Sequence, residues 1–227
     1  MKFENTQVFN FEGALRGMRN PLESWDKSDS DFNGGLEFDK RGVSKHYKFK
    51  IGKNDLELAQ KLINAGSEHR KFMRQIFVSV DITAPIYWWK EFDTYKVGTV
   101  ANSTSTMHKL ASTPITLDCF ELTSVKLCDI GKAYFEELEK MRIKSNEYRK
   151  QGNIEKANNW WKALIQLLPE SWLQTRTVTM NYENLLNMVH QRKNHKLSEW
   201  SKSFIDWVKT LPYADELIFI KGDTNER

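Results

Sequence analysis

The sequence predicts an α/β fold, a central sheet flanked by helices, and three observations carry that expectation. Gln75 to Ile82 alternates as a half-buried strand does, with Ile76, Val78, Val80 and Ile82 on one side and polar or aromatic residues on the other. Stretches of helical periodicity accompany it, at 54–66, 130–150, 154–168, 182–192 and 197–211. The chain has 227 residues, 40% hydrophobic and 28% charged, a globular composition in which one domain is the default. Eight Trp and thirteen Phe supply large anchors for its core.

The elements follow in chain order. Met1 to Gly13 alternates Phe with polar residues and lacks the apolar stretch of a signal peptide. Phe11 to Gly42 is rich in Gly, Asn, Asp and Ser, with Asn20-Pro21 and Gly34-Gly35 as turn signals, so residues 1–45 are expected to be loop-rich. Asn54-Asp55 caps a helix carrying Leu56, Leu58, Ala59, Leu62 and Ile63, which Gly66 stops. Ala84-Pro85 ends the strand, and Tyr87-Trp88-Trp89 opens another helix. Val97 to Pro114 is polar and hydroxyl-rich, which suits a loop whose hydroxyls and amides face a ligand. Ile130 to Lys150 reads as a surface helix and Ile154 to Leu168 as a second, separated by Gly152 and ended by Pro169. Helical patterns return at Tyr182 to Arg192 and Leu197 to Leu211.

A net charge of +4 and a pI near 8.9 come from Lys and Arg interspersed with acids, not from a basic block. That pattern favours a small anionic ligand over nucleic acid, for which no module is recognised. Cys119 and Cys128 are too few for a disulfide framework and lack metal-type spacing, so they read as core thiols in a reducing compartment. The five histidines, His46, His69, His108, His190 and His195, show neither triad order nor metal spacing, and no metal is expected. No run approaches the roughly 18 apolar residues of a membrane span, so a cytoplasmic protein without a membrane partner is expected.

Two separate stretches carry a resemblance. In the first, Ala84-Pro85 leads into an aromatic-rich segment and then Thr94-Tyr95-Lys96 and Thr99; Asn102, Ser103, Ser105 and Met107 follow. In the second, Leu168-Pro169 is followed by Asn181, Asn187 and Arg192, and Leu197-Ser198-Glu199-Trp200 opens the next helix. Together they resemble the flavin-dependent thymidylate synthases over about residues 65–211. On that alignment Thr94, Tyr95 and Lys96 occupy the R-H-R positions of the R-H-R-x-x-S motif and Thr99 its serine, while the second stretch keeps the family spacing without a gap. His69 matches a family histidine.

The resemblance implies a homotetramer that holds FAD at its subunit interfaces and reduces it with NADPH. A methylene group is then transferred from methylenetetrahydrofolate to dUMP without a protein nucleophile. It assigns the pyrimidine nucleotide to Glu91, Thr99, Asn102, Ser105 and Arg192, and the flavin to His69, Thr94, Tyr95, Lys96, Asn181 and Asn187. Arg192 and Lys96 are the residues it would make catalytic. The residues themselves permit such roles: an N-cap Asn181 can present its amide to a ring edge, and the Arg192 fork suits a phosphate or carboxamide.

The chain also departs from the family. Thr94-Tyr95, Met107, Ile165 and Glu183 stand where family arginines or the R-H pair belong, Ser103 replaces a glutamate, and Glu91 replaces a glutamine. Compensating charge is expected from Arg16, Arg19 and Lys27, or from Arg70, Lys71 and Arg74. The rival expectation is a non-catalytic nucleotide-binding or assembly protein on the same scaffold.

Overall fold

The structure is a computed structural model that describes residues 1–33, 36–38, 44–47, 49–122 and 129–220. Its strands are β1 (Lys2–Phe9), β2 (Leu36–Phe38), β3 (Ser44–Tyr47), β4 (Phe77–Pro85), β5 (Val100–Ser103) and β6 (Leu173–Asn181). Its helices are α1 (Phe11–Arg19), α2 (Lys53–Asn64), α3 (Ile86–Phe92), α4 (Thr106–Lys109), α5 (Asp129–Lys150), α6 (Ile154–Leu167), α7 (Tyr182–Arg192), α8 (Ile205–Lys209) and α9 (Ala214–Leu217). A 3₁₀ turn at Lys71–Gln75 precedes β4, and a π-helical stretch at Glu199–Phe204 precedes α8. Four strands pair in the order β1-β4-β6-β5, while β2 and β3 form an antiparallel pair of their own. The expected α/β class is the observed one.

Local sequence explains most of these boundaries. Ile76, just before β4, and the side chains at 78, 80 and 82 within it are at most 1% exposed, so strict alternation becomes one buried face. Gly66, at φ +108°, follows α2 in a conformation other residues resist. The expected loop over residues 97–114 contains a short strand and a single helical turn, because Ser105 caps α4 by accepting the His108 amide. The expected loop-rich segment begins with β1 and α1; Phe11, Ala14, Leu15 and Met18 make the buried stripe of α1. Gly34-Gly35 and Cys128 lie outside the described residues.

Two compact units are resolved. One comprises residues 1–2, 82–94 and 102–176. Its core joins Leu110, Ile115, Phe120, Leu138 and Leu164, with Ile165 and Trp172 packed against it. Arg142 ties α5 to the preceding loop through the Ala111 carbonyl at 3.1 Å, and Ser145 reaches the Ala157 carbonyl of α6 at 2.9 Å. In the same unit Trp88, Trp89 and Phe92 of α3 are almost fully buried, with the Arg176 guanidinium 4.2 Å above the Trp89 ring.

The other unit comprises residues 3–81, 95–101 and 177–227. Phe11 meets Tyr182 edge-on at 5.3 Å, and Phe3 stacks on Trp207 at 4.7 Å. A buried ion pair anchors its N-terminal part. Asp55 is 0% exposed and accepts from Arg19 at 2.6 Å, Ser28 at 2.7 Å and Ser30 at 2.5 Å. Burial pushes the Asp55 carboxyl up, but these hydrogen bonds and the Arg19 charge outweigh it and lower its pKa.

Candidate functional site

The residues that draw attention in the second unit gather around the first turns of α7. Asn181 is the N-cap, and its Oδ1 accepts the Asn184 amide at 2.9 Å while the Asn184 Oδ1 accepts the Asn181 amide at 3.1 Å. This reciprocal pair satisfies two backbone donors at the helix start. The Asn184 amide group also donates to the Val97 carbonyl at 2.8 Å. Gly98 lies against the same cap at φ +75°, where a Cβ would come within 2.9 Å of Asn181 Nδ2 and 3.1 Å of Asn184 Oδ1. Thr99 closes the loop by donating to the Tyr95 carbonyl. The segment from Tyr95 to Thr99 is therefore pinned to the N-terminus of α7.

Within the same first turn, Glu183 is 8% exposed and is held by two arginines. Arg70 Nε donates to it at 3.2 Å, and Arg74 donates through Nε and, at 3.3 Å, through Nη2. Arg70 Nη2 also reaches Asn187 Oδ1 at 3.2 Å, which fits the i,i+4 spacing of Glu183 and Asn187 on one helix face. The acid at position 183 thus does not stand alone. It is neutralised by the cluster the sequence offers as compensation, and two guanidiniums against one carboxylate leave one net positive charge. The Arg74 side chain is 47% exposed, and His69 is exposed nearby in sequence.

Arg192 lies at the far end of α7, in an aromatic setting. Its Nε donates to the Tyr95 hydroxyl at 2.7 Å, and its guanidinium lies 4.7 Å from the Trp200 ring centroid. The Tyr95 hydroxyl in turn donates to Gln191 at 2.9 Å. Tyr95 and Arg192, assigned to different ligands by resemblance, are brought together here; Lys96 beside them is exposed. Sequence spacing could not show this contact, since the partners are 97 positions apart.

The remaining candidates belong to the first unit. Glu91 and Thr94 stand at the end of α3, where the Thr94 hydroxyl donates to the Glu91 carbonyl at 2.7 Å. Asn102 is exposed on β5, and Ser105 lines a cavity. Met107 is 53% exposed, whereas Ile165 packs against the apolar core of its unit, a place that an arginine could occupy only at a desolvation cost. Arg19 is not available as a compensating cation, because it is buried against Asp55. Among the described residues no group of His, Cys, Asp and Glu could hold a metal ion. Nor is any described helix long and apolar enough to cross a membrane.

A mixed α/β architecture, a strand ending in Ala-Pro before an aromatic helix, and a polar loop latched to a capped helix are the features of the fold. The fold is that of the flavin-dependent thymidylate synthases. A thymidylate synthase X from Helicobacter pylori, solved with FAD and dUMP, matches with a TM-score of 0.66 at 15% identity, over 96% of this chain and 97% of that one. A second structure of the flavin-dependent thymidylate synthase from the same organism, complexed with FAD and dUMP, matches with a TM-score of 0.63 at 16% identity, over 96% and 98% of the two chains. No family model matches the chain, and no curated protein matches it in sequence.

Proposed function

We propose that this chain is a divergent flavin-dependent thymidylate synthase-like protein that binds a pyrimidine nucleotide and a flavin and whose thymidylate synthesis is weak or absent. The observation that carries this reading is the end-to-end fold likeness to enzymes solved with FAD and dUMP, at a TM-score of 0.66. The donor set around α7 suits an anionic cofactor with a ring system: Arg70 and Arg74 keep a net positive charge beside the helix N-terminus, which itself favours phosphate. On this reading His69, Arg70, Arg74, Tyr95, Lys96, Asn181 and Asn187 hold the flavin. Lys96, Thr99 and Arg192 serve the nucleotide. A reduced flavin held there would supply the hydride that turns a methylene taken from methylenetetrahydrofolate into the methyl group of dTMP, with NADPH as the reductant of the flavin. What the chain itself contributes is positioning and charge, with no protein nucleophile.

A second reading, a non-catalytic nucleotide-binding or assembly protein, is favoured by the engagement of Arg192 with Tyr95 and Trp200 and by the acid at position 183. Flavin absorbance of the purified protein in the blue and calorimetry with dUMP test the binding claim. Absence of both signals overturns the first reading. Vigorous growth of a thymidine-requiring strain on this chain would overturn the claim of weak synthesis and exclude the second reading.

A further inference from the structure

The hairpin of α5 and α6 carries a surface that the functional reading leaves unused. Its turn contains Gly152 at φ +74°, and its register is fixed where Ser145 donates to the Ala157 carbonyl at 2.9 Å. Asn153 caps α6 by accepting the Lys156 amide at 3.2 Å, which sets Lys156 in the first turn. Across the hairpin the Lys144 ammonium lies 4.5 Å from the centroid of the Trp160 ring, and the Lys156 ammonium 5.4 Å from that of Tyr148. Residues 144 and 148 are neighbours on one helix face, as are 156 and 160, so two lysines and two rings share one side of the hairpin.

Positive charge gathers on the same element. From Lys140 to Lys162 there are seven cations and two acids, Glu147 and Glu155. Lys140 and Arg142 are paired with Glu137 and Glu139. Lys144, Arg149, Lys150, Lys156 and Lys162 are exposed and form no ion pair among the described residues. These five against two acids leave a local surplus of three, set against a net charge of +4 for the whole chain. Dispersal along the sequence speaks against nucleic acid, but the hairpin brings the dispersed cations together.

Cations interleaved with aromatic rings are the chemistry of single-strand binding, in which ammonium groups follow the phosphates and bases stack on the rings. An exposed lysine on a ring makes a weak contact and keeps its three N–H donors. A base can therefore take the ring while the ammonium turns to a phosphate. Both rings are half-buried, which suits stacking better than insertion into a lipid surface. We propose that the side of the α5–α6 hairpin bearing Lys144, Tyr148, Lys156 and Trp160 binds single-stranded nucleic acid without sequence preference. The proposal goes beyond the functional reading above and does not rest on it.

Fluorescence anisotropy with a labelled oligothymidylate tests it. Lys144→Gln combined with Lys156→Gln should weaken binding about tenfold or more and reduce the slope of log affinity against log salt by about 1.4, the share of two phosphate contacts on a single strand. Both lysines are exposed, so that variant should keep the parent's thermal midpoint. Trp160→Leu keeps apolar bulk without the ring and should weaken binding about tenfold with the salt slope unchanged. Lys53→Gln combined with Lys61→Gln on α2 removes equal charge elsewhere and should change neither quantity. Absence of binding, an equal loss in the α2 variant, indifference to Trp160→Leu, displacement of the strand by excess dUMP, or binding of phosphatidylserine vesicles in place of the strand would each overturn the proposal. Strand binding by a chain that shows neither flavin absorbance nor dUMP heat would uphold the hairpin site and reject the thymidylate synthase-like reading. Flavin absorbance and dUMP heat without strand binding would do the reverse.

Discussion

Replacing Glu183 by glutamine keeps the shape of the side chain and removes the charge that two arginines share. Because Glu183 is buried and Arg70 largely so, the change should cost about 1–3 kcal/mol, the lower part of that range reflecting how far water screens the half-exposed Arg74. Urea denaturation measures it, and an unchanged midpoint would mean that the pairs contribute nothing net. Asp55 is a sharper case, being fully buried and bonded to three side chains. Its folded pKa is lowered, so its contribution is complete above the ordinary aspartate value of about 3.9 and is lost as pH falls through the lower folded value. Asp55→Asn should therefore flatten the acid limb of a stability-against-pH curve. Asp55→Ala, which strands Arg19 in the interior, should cost about 3–5 kcal/mol at neutral pH.

At the scale of elements, two glycines with positive φ make a controlled comparison. Gly66 has open space where a Cβ would project, so Gly66→Ala should cost only the backbone term, about 1 kcal/mol. Gly98→Ala adds a collision with the Asn181 and Asn184 amides and should cost about 2–4 kcal/mol. Equal thermal shifts in the two variants would show that the cap yields without strain.

Much at this scale was legible in the sequence. The bounds of α7 follow from its periodicity, and its start from Asn181; the alternation of β4 and the α5–α6 break at Gly152 could be read the same way. The stripe of α1 was obscured by Gly13 and Gly17, which look like turn residues. In the fold both sit on α1, where a Cβ at 13 would meet Asn10 Oδ1 at 2.3 Å and one at 17 would meet Gln75 Oε1 at 2.8 Å. β6 was missed although Val178 and Met180 alternate, since its first half is only partly buried and carries no clear pattern. At the candidate site, residue types were legible and partnerships were not. Arg70 and Arg74 stood out as cations, but only the fold shows them committed to Glu183.

For the whole molecule, the reading implied by resemblance is a homotetramer with ligand sites completed by neighbouring subunits. Light scattering should then give a native mass near four protomers of 26.7 kDa. A monomer at that mass would remove the shared-site part of the proposed function and leave the fold untouched.

The latch between Gly98 and the α7 cap separates two properties that loops usually carry together. Asn184 grips the Val97 carbonyl, Gly98 yields to Asn181 and the Thr99 hydroxyl donates to the Tyr95 carbonyl, so the path of residues 95–99 is set by backbone groups, two amides and one hydroxyl. None of these contacts involves the side chains of Thr94 or Lys96. The chain can therefore change its chemistry at those positions while keeping the loop's course. A library randomised at 94 and 96 over a fixed 97–99 and 181–184 frame is the natural place to search this scaffold for new activities.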